Sequence, residues 1–212
     1  MFWSLPNNKL DFNHGEIENE NAESNIYTEL FSLLLSNLVV QKEQTSGTTP
    51  KLCTSAAGAG IKATTIESLV DRPSYTYQEI ETLAFHLSLQ LKVLERHGMT
   101  LLFWQPSDII IIDNHFYFLA NLQQLVPLRK DDSTKLLLRY PVLFNPELVA
   151  PELLQMQEIP FTTHRSACYY SLGRLCLHLW QKPLDAIQGT KLFYFIQRCL
   201  APEPGQRICQ FV

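Results

Sequence analysis

The stretch "LLFWQPSDIIIID", residues 101–113, decides how the rest of the chain is read. An aromatic pair, a proline and one acid precede four consecutive isoleucines. Ile109 to Ile112 are β-branched throughout and end at Asp113-Asn114, a turn-prone pair, so the run predicts a short strand. Pro106 has no N–H to give to a ladder and keeps that strand from starting earlier. Beyond the turn, "HFYFLANL" (115–122) alternates with aromatic residues and predicts the second strand of a hairpin, the main β element expected. The role of the loop that leads into this hairpin depends on what flanks it.

Upstream lies "SYTYQEIETLAFHLSLQLKVLERHG" (74–98). Thr76 stands three residues before Glu79 in a capping-box pattern, and Tyr77, Ile80, Leu83, Ala84, Leu87, Leu91 and Leu94 recur at helical spacing. Gly98 is placed to stop the helix. His86 and His97 read as packing and helix-end residues, not as ligands. Downstream, Arg129, Lys130, Asp131 and Asp132 mark an exposed turn between two apolar stretches. "FNPELVAPELL" (144–154) holds two Pro-Glu pairs, each able to open a helical turn. "SACYYSLGRLCLHLW" (166–180) is apolar almost all round, which predicts a helix buried in the middle of a domain. The end, "KLFYFIQRCLAPEPGQRICQFV" (191–212), reads as an amphipathic helix, a proline-rich turn and a final arginine segment.

At 212 residues the chain has the length of one domain with an appendage, and its net charge of −4 supplies no basic field for nucleic acid or an anionic membrane. Five cysteines, at 53, 168, 176, 199 and 209, include no CxxC pair and are odd in number. They read as reduced, buried thiols, not as a disulfide framework or zinc site. No apolar run approaches the roughly 20 residues of a membrane span, so an intracellular, cytoplasmic protein without membrane insertion is expected. Residues 7–25 are rich in Asn and Glu and predict a solvated acidic arm. A helix is expected over 24–41, followed by a small, polar linker. Its "GAGIK" lacks the full phosphate-loop spacing and reads as a connector. The division is therefore 1–62, an acidic arm, helix and linker, and 63–212, the main domain.

The order of these elements resembles the C-terminal lobe of the protein kinases, over about residues 64–210. Pro106 matches the proline of the family's Lys-Pro-Glu-Asn run, Ala150-Pro151-Glu152 is similar to the Ala-Pro-Glu that ends an activation segment, and "CYYSLG" (168–173) resembles the Asp-x-x-Ser-x-Gly of the central helix. The resemblance implies a mainly α (α+β) fold, a helical platform with a small β-hairpin and a truncated or absent small lobe, of which residues 1–62 would be the vestige. It also implies lost chemistry. Phe103 falls where the family keeps its catalytic aspartate, Gln105 where it keeps a lysine, and Asp108 where an asparagine holds metal. Asn121 takes the place of the metal-binding aspartate, followed by Leu122 and Gln123. Phosphoryl transfer on this fold needs a carboxylate on magnesium and an oriented hydroxyl, and an aromatic ring at 103 supplies neither.

No Val-Ala-x-Lys strand precedes the first helix, so nucleotide binding and any other cofactor are not expected. Arg207 stands where the family's arginine pairs with the Ala-Pro-Glu glutamate, which makes Glu152, or alternatively Glu147, its partner. Cys168 replaces an aspartate that braces the catalytic loop, as if that loop no longer needed a fixed shape. Phe103 and Trp104 are expected to pack inward or to face a partner.

Three functions follow as expectations: a catalytically inactive, pseudokinase-like module that binds protein as a scaffold; a structural subunit of a larger assembly such as a virus particle; and an unrelated Cys/His enzyme. The cysteines lie in apolar helices or beside Pro and Arg, with no signature of an activated thiolate.

Overall fold

The computed structural model describes residues 28, 29, 32, 63–67, 75–112, 116–121 and 124–211. The helix expected over 24–41 is represented by residues 28, 29 and 32, all helical, while the "GAGIK" connector and the Asp113-Asn114 turn lie outside the described residues. The long helix α1 runs Tyr77–Arg96. Its capping box closes as the sequence predicts: Glu79 N–H donates to Thr76 Oγ1 at 3.3 Å, and Thr76 N–H donates to Glu79 Oε2 at 2.8 Å. His97 caps the far end, and Gly98, at φ +70°, turns the chain out of the helix in a left-handed conformation that a side chain resists.

Seven strands are described: β1 (Ala63–Thr65), β2 (Met99–Leu101), β3 (Ile109–Ile112), β4 (Phe116–Leu119), β5 (Leu125–Pro127), β6 (Lys135–Leu138) and β7 (Phe161–His164). The expected hairpin is β3–β4, paired from Ile109↔Leu119 to Ile112↔Phe116. β1 adds a third antiparallel strand on the far side of β3. Two further antiparallel ribbons, β2–β5 and β6–β7, were not foreseen. The α+β expectation holds in its coarse form, a mixed α and β arrangement with small antiparallel sheets, to which these two ribbons are an addition. Strands of three or four residues show too few alternations to be told from loop, and β6 finds its partner only beyond the 139–160 excursion.

Helices α2 (Pro151–Leu154), α3 (Ala167–Trp180) and α4 (Lys191–Cys199) complete the set. Pro151 starts α2 as predicted, whereas Pro146-Glu147 forms only a turn, in which Asn145 Oδ1 accepts from Glu147 N–H at 3.0 Å. The main core lies where α1, α3 and α4 meet the hairpin, around Leu83, Leu87, Ile109, Leu172, Phe195 and Ile196. A smaller core gathers Leu102, Phe103, Leu136, Leu138, Leu153 and Ala167. Helices α3 and α4 approach closely at Gly173, where an added Cβ would sit 3.0 Å from the Cys199 Cβ. No helix among the described residues is long and apolar enough to cross a membrane.

Candidate functional site

The loop that opens the sequence reading runs between β2 and β3, with a 3₁₀ turn over Pro106–Asp108. It is anchored from both sides. On the hairpin side, Ala120 N–H donates to the Asp108 carbonyl at 2.9 Å. On the helix side, Trp104 N–H donates to Ser171 Oγ at 2.8 Å, and the indole Nε1 donates to the Cys168 carbonyl at 3.1 Å. The loop is therefore tied to α3 and to the hairpin by bonds that need no carboxylate at 168. A hydroxyl and a carbonyl of α3 supply the acceptors. Cys168 itself turns its thiol to the Arg165 carbonyl at 3.0 Å and stands 3.3 Å from Thr100 Oγ1.

Phe103 and Trp104 are 2% and 1% exposed, so neither faces a partner. Of the two alternatives for this pair, inward packing is the one found. Phe103 meets Phe144 edge to face at 6.1 Å in the smaller core, while Trp104 fills the main core with its one polar atom satisfied. The position implied for a catalytic base is thus occupied by a ring sealed from solvent.

Asp108 and Asn121 come together as the hairpin brings its two ends side by side, and Asn121 Nδ2 donates to Asp108 Oδ1 at 2.8 Å. Burial pushes the Asp108 carboxyl above its usual range, the Asn121 hydrogen bond opposes that shift, and the charge of Glu67 adds to it. The β1–β3 register explains the Glu67 effect. Ala63 faces Ile112 and Thr65 faces Ile110, and one more bond runs from Ile66 N–H to the Ile109 carbonyl at 3.0 Å. Carried one step on, that register sets Glu67 opposite Asp108. Among the described residues no group of three or more His, Cys, Asp or Glu side chains converges as a metal site.

The second half of the arrangement is a buried ion pair. Arg207 Nη1 donates to Glu152 Oε1 at 2.5 Å and Nη2 to Oε2 at 2.9 Å, a two-toothed contact that matches the planar guanidinium to the carboxylate. The Arg207 side chain is fully enclosed. Its Nε donates to the Ala201 carbonyl at 2.8 Å, Nη2 to the Pro202 carbonyl at 3.1 Å, and its charge lies 4.9 Å from the Tyr170 ring. Glu152 is thus the partner of Arg207. Glu147 serves elsewhere, its carbonyl accepting from Arg174 Nε at 2.8 Å.

Two residues not singled out from sequence support this pair. Ser166 Oγ donates to the Pro204 carbonyl at 2.7 Å, just ahead of Arg207, and His164 Nδ1 lies 2.7 Å from the same hydroxyl. Burial, then the charges of Arg165 and Arg207, hold His164 below the usual imidazole range. A polar Ser at the mouth of a helix that is apolar all round is the signal by which it could have been found.

Among the described residues the cysteine chemistry is quiet. Cys168, Cys176, Cys199 and Cys209 are free and buried. Burial pushes the thiols of Cys168 and Cys176 up, and Cys209 rises through its hydrogen bond to Cys199 together with burial. Thiols held protonated in this way are poor nucleophiles, which counts against the Cys/His enzyme.

On the outside, the 139–160 excursion leaves Tyr140 and Leu143 74% and 94% exposed, with Leu154 half exposed nearby in sequence. Compared with known proteins, the chain matches no family model and no curated sequence.

Proposed function

We propose that this chain is a catalytically inactive, kinase-like module that works by binding another protein. The observation that carries the reading is the contrast between the two halves of the site. Glu152 and Arg207, distant in sequence, form the enclosed two-toothed ion pair that the resemblance implies, while Phe103, at the implied position of the base, is sealed in an apolar core. A fold that keeps such a pair retains the cost of desolvating two charges in return for one fixed arrangement of two segments. The swapped amide and carboxyl at Asn121 and Asp108 hold each other, which supports a bracing role for the pair. Tyr140 and Leu143 offer apolar surface of the kind that marks contact sites.

The test has two arms. Thermal unfolding with and without millimolar ATP, each with and without magnesium, is expected to show no rise in midpoint, since only a ligand bound by the folded state raises it. A photo-cross-linking residue at position 143 is expected to capture a protein in cells from the source of the chain, and one at buried position 103 to capture none. A magnesium-dependent rise with ATP, or equal capture from both positions, would overturn the reading.

A further inference from the structure

The exposed apolar strip of the 139–160 excursion is balanced in charge about its own centre. Residues 141–145 belong to no helix, strand or turn, yet their side chains alternate as in a strand. Val142 and Phe144 turn in against the smaller core, where Phe144 meets Phe103 edge to face at 6.1 Å. Leu143, between them, turns out and is 94% exposed. The backbone is open as well: among the described residues, the N–H and carbonyl groups of Val142, Leu143 and Phe144 have no hydrogen-bond partner. Arg139 stands four positions before Leu143, and Glu147 stands four positions after it. Both are exposed, and among the described residues neither side chain has an ion-pair partner. Glu147 is held through its backbone alone, by Asn145 and Arg174.

We propose that this strip is an interface between two copies of the chain, paired antiparallel across a two-fold axis at Leu143. Such an axis sets each earlier position against the later position at equal distance from the centre. Leu143 then meets its own copy, Val142 comes beside Phe144, and Arg139 of each copy reaches Glu147 of the other. The strip is thus complementary in charge to itself, which selects a second copy over a different protein. The backbone agrees with this register. With Leu143 in a pair that shares no hydrogen bond, Val142 and Phe144 exchange N–H and carbonyl bonds across the axis. Pro141, which has no N–H to give, falls opposite Asn145 in another pair that needs none. Tyr140, 74% exposed, comes beside Pro146 of the other copy and closes the rim. One short strip is small against the roughly 20 to 30 residues a side of a standard interface, so the dimer is weak and assembles at high local concentration. The proposal rests on the reading of Tyr140 and Leu143 as a contact surface, and it names the occupant.

The test is sedimentation velocity of the full chain from about 1 µM to about 500 µM. The mean mass of the wild type is expected to rise with concentration toward that of a dimer. Leu143→Asp, which sets two carboxylates on the axis, is expected to stay a monomer throughout. Arg139→Glu sets like charges together twice and is expected to weaken the dimer about tenfold. Arg139→Glu combined with Glu147→Arg, which restores both pairs with their charges reversed, is expected to recover the wild-type constant. All three positions are exposed, and an unchanged urea midpoint checks that each variant folds. A wild type that is monomeric over the whole range would overturn the dimer, and so would a reversed pair as weak as the single variant. If the wild type is a monomer and the cross-link from position 143 leads to a different protein, the dimer fails and the protein-binding reading stands. If no cross-link forms either, both fail.

Discussion

Lowering the pH should destabilise the fold, because one of the hydrogen bonds that fasten β4 to α1 needs an uncharged histidine. His86 is 5% exposed, lies stacked on Phe116 with ring centroids 5.5 Å apart, and accepts the Tyr117 N–H on Nδ1 at 3.4 Å. A protonated ring would turn a donor toward that donor. Burial accordingly lowers its pKa from 6.5 to about 4. The unfolded chain then binds a proton that the folded chain refuses, so the stability due to neutral His86 is complete above the unfolded value and falls as pH drops. It levels off below the folded value. The full span from 6.5 to about 4 corresponds to about 3 kcal/mol, and the part already lost near pH 5 is about 2 kcal/mol.

The assay is urea unfolding at about pH 7.5 and pH 5, on the wild type and on His86→Gln. Glutamine offers an acceptor to the same N–H and does not titrate. Other groups, the buried Asp108 carboxyl among them, contribute alike to both proteins and cancel in the difference. The wild type is expected to lose about 2 kcal/mol more than the variant on acidification. Equal losses in the two proteins, within about 0.5 kcal/mol, would refute the assignment of the acid sensitivity to His86.

Two further outcomes are expected. Arg207→Ala and Glu152→Ala should each cost about 3 kcal/mol or more in urea unfolding, because each leaves a charge without its partner. The double variant should cost well below the sum, and additive losses would show that the two charges do not stabilise as a pair. Gly173→Ala should cost about 1 to 3 kcal/mol, since its methyl meets the Cys199 Cβ at 3.0 Å and the Leu200 side chain at 3.1 Å. Gly205→Ala, with nothing within 4 Å, serves as the neutral control, and equal melting of the two variants would place the α3–α4 contact elsewhere.

Much of the scaffold was legible in the residues because it is local. The capping box at Thr76 and Glu79, the stop at Gly98 and the isoleucine hairpin are each decided within a few positions. The Glu152–Arg207 pair was legible for another reason: it was expected from the resemblance of two short motifs, and the partners lie 55 positions apart. What escaped depends on groups that a one-dimensional reading cannot place. Trp104 read as a candidate contact because the carbonyl that satisfies its indole, that of Cys168, is 64 positions away. Strands β5, β6 and β7 escaped because each is too short to carry a period, β5 pairing across the β3–β4 hairpin and β6 with β7 across an irregular segment. Gln90 left one trace that went unread. It stands four positions after His86, so two polar side chains one turn apart lie among the buried residues of this amphipathic helix.

That glutamine has a consequence for how the sheet is bounded. Its Nε2 donates to the Tyr117 carbonyl at 2.9 Å, and its Oε1 accepts from Leu119 N–H at 2.9 Å, while His86 takes the N–H of Tyr117. A helix side chain thus presents to β4 the donor and acceptor that a neighbouring strand would present, and no foreign strand can be recruited there without evicting it. Since β3 is flanked on both sides, any lengthening of this sheet must proceed beyond β1. Among the described residues, growth of the sheet by a partner's strand or in aggregation has one direction, outward from β1.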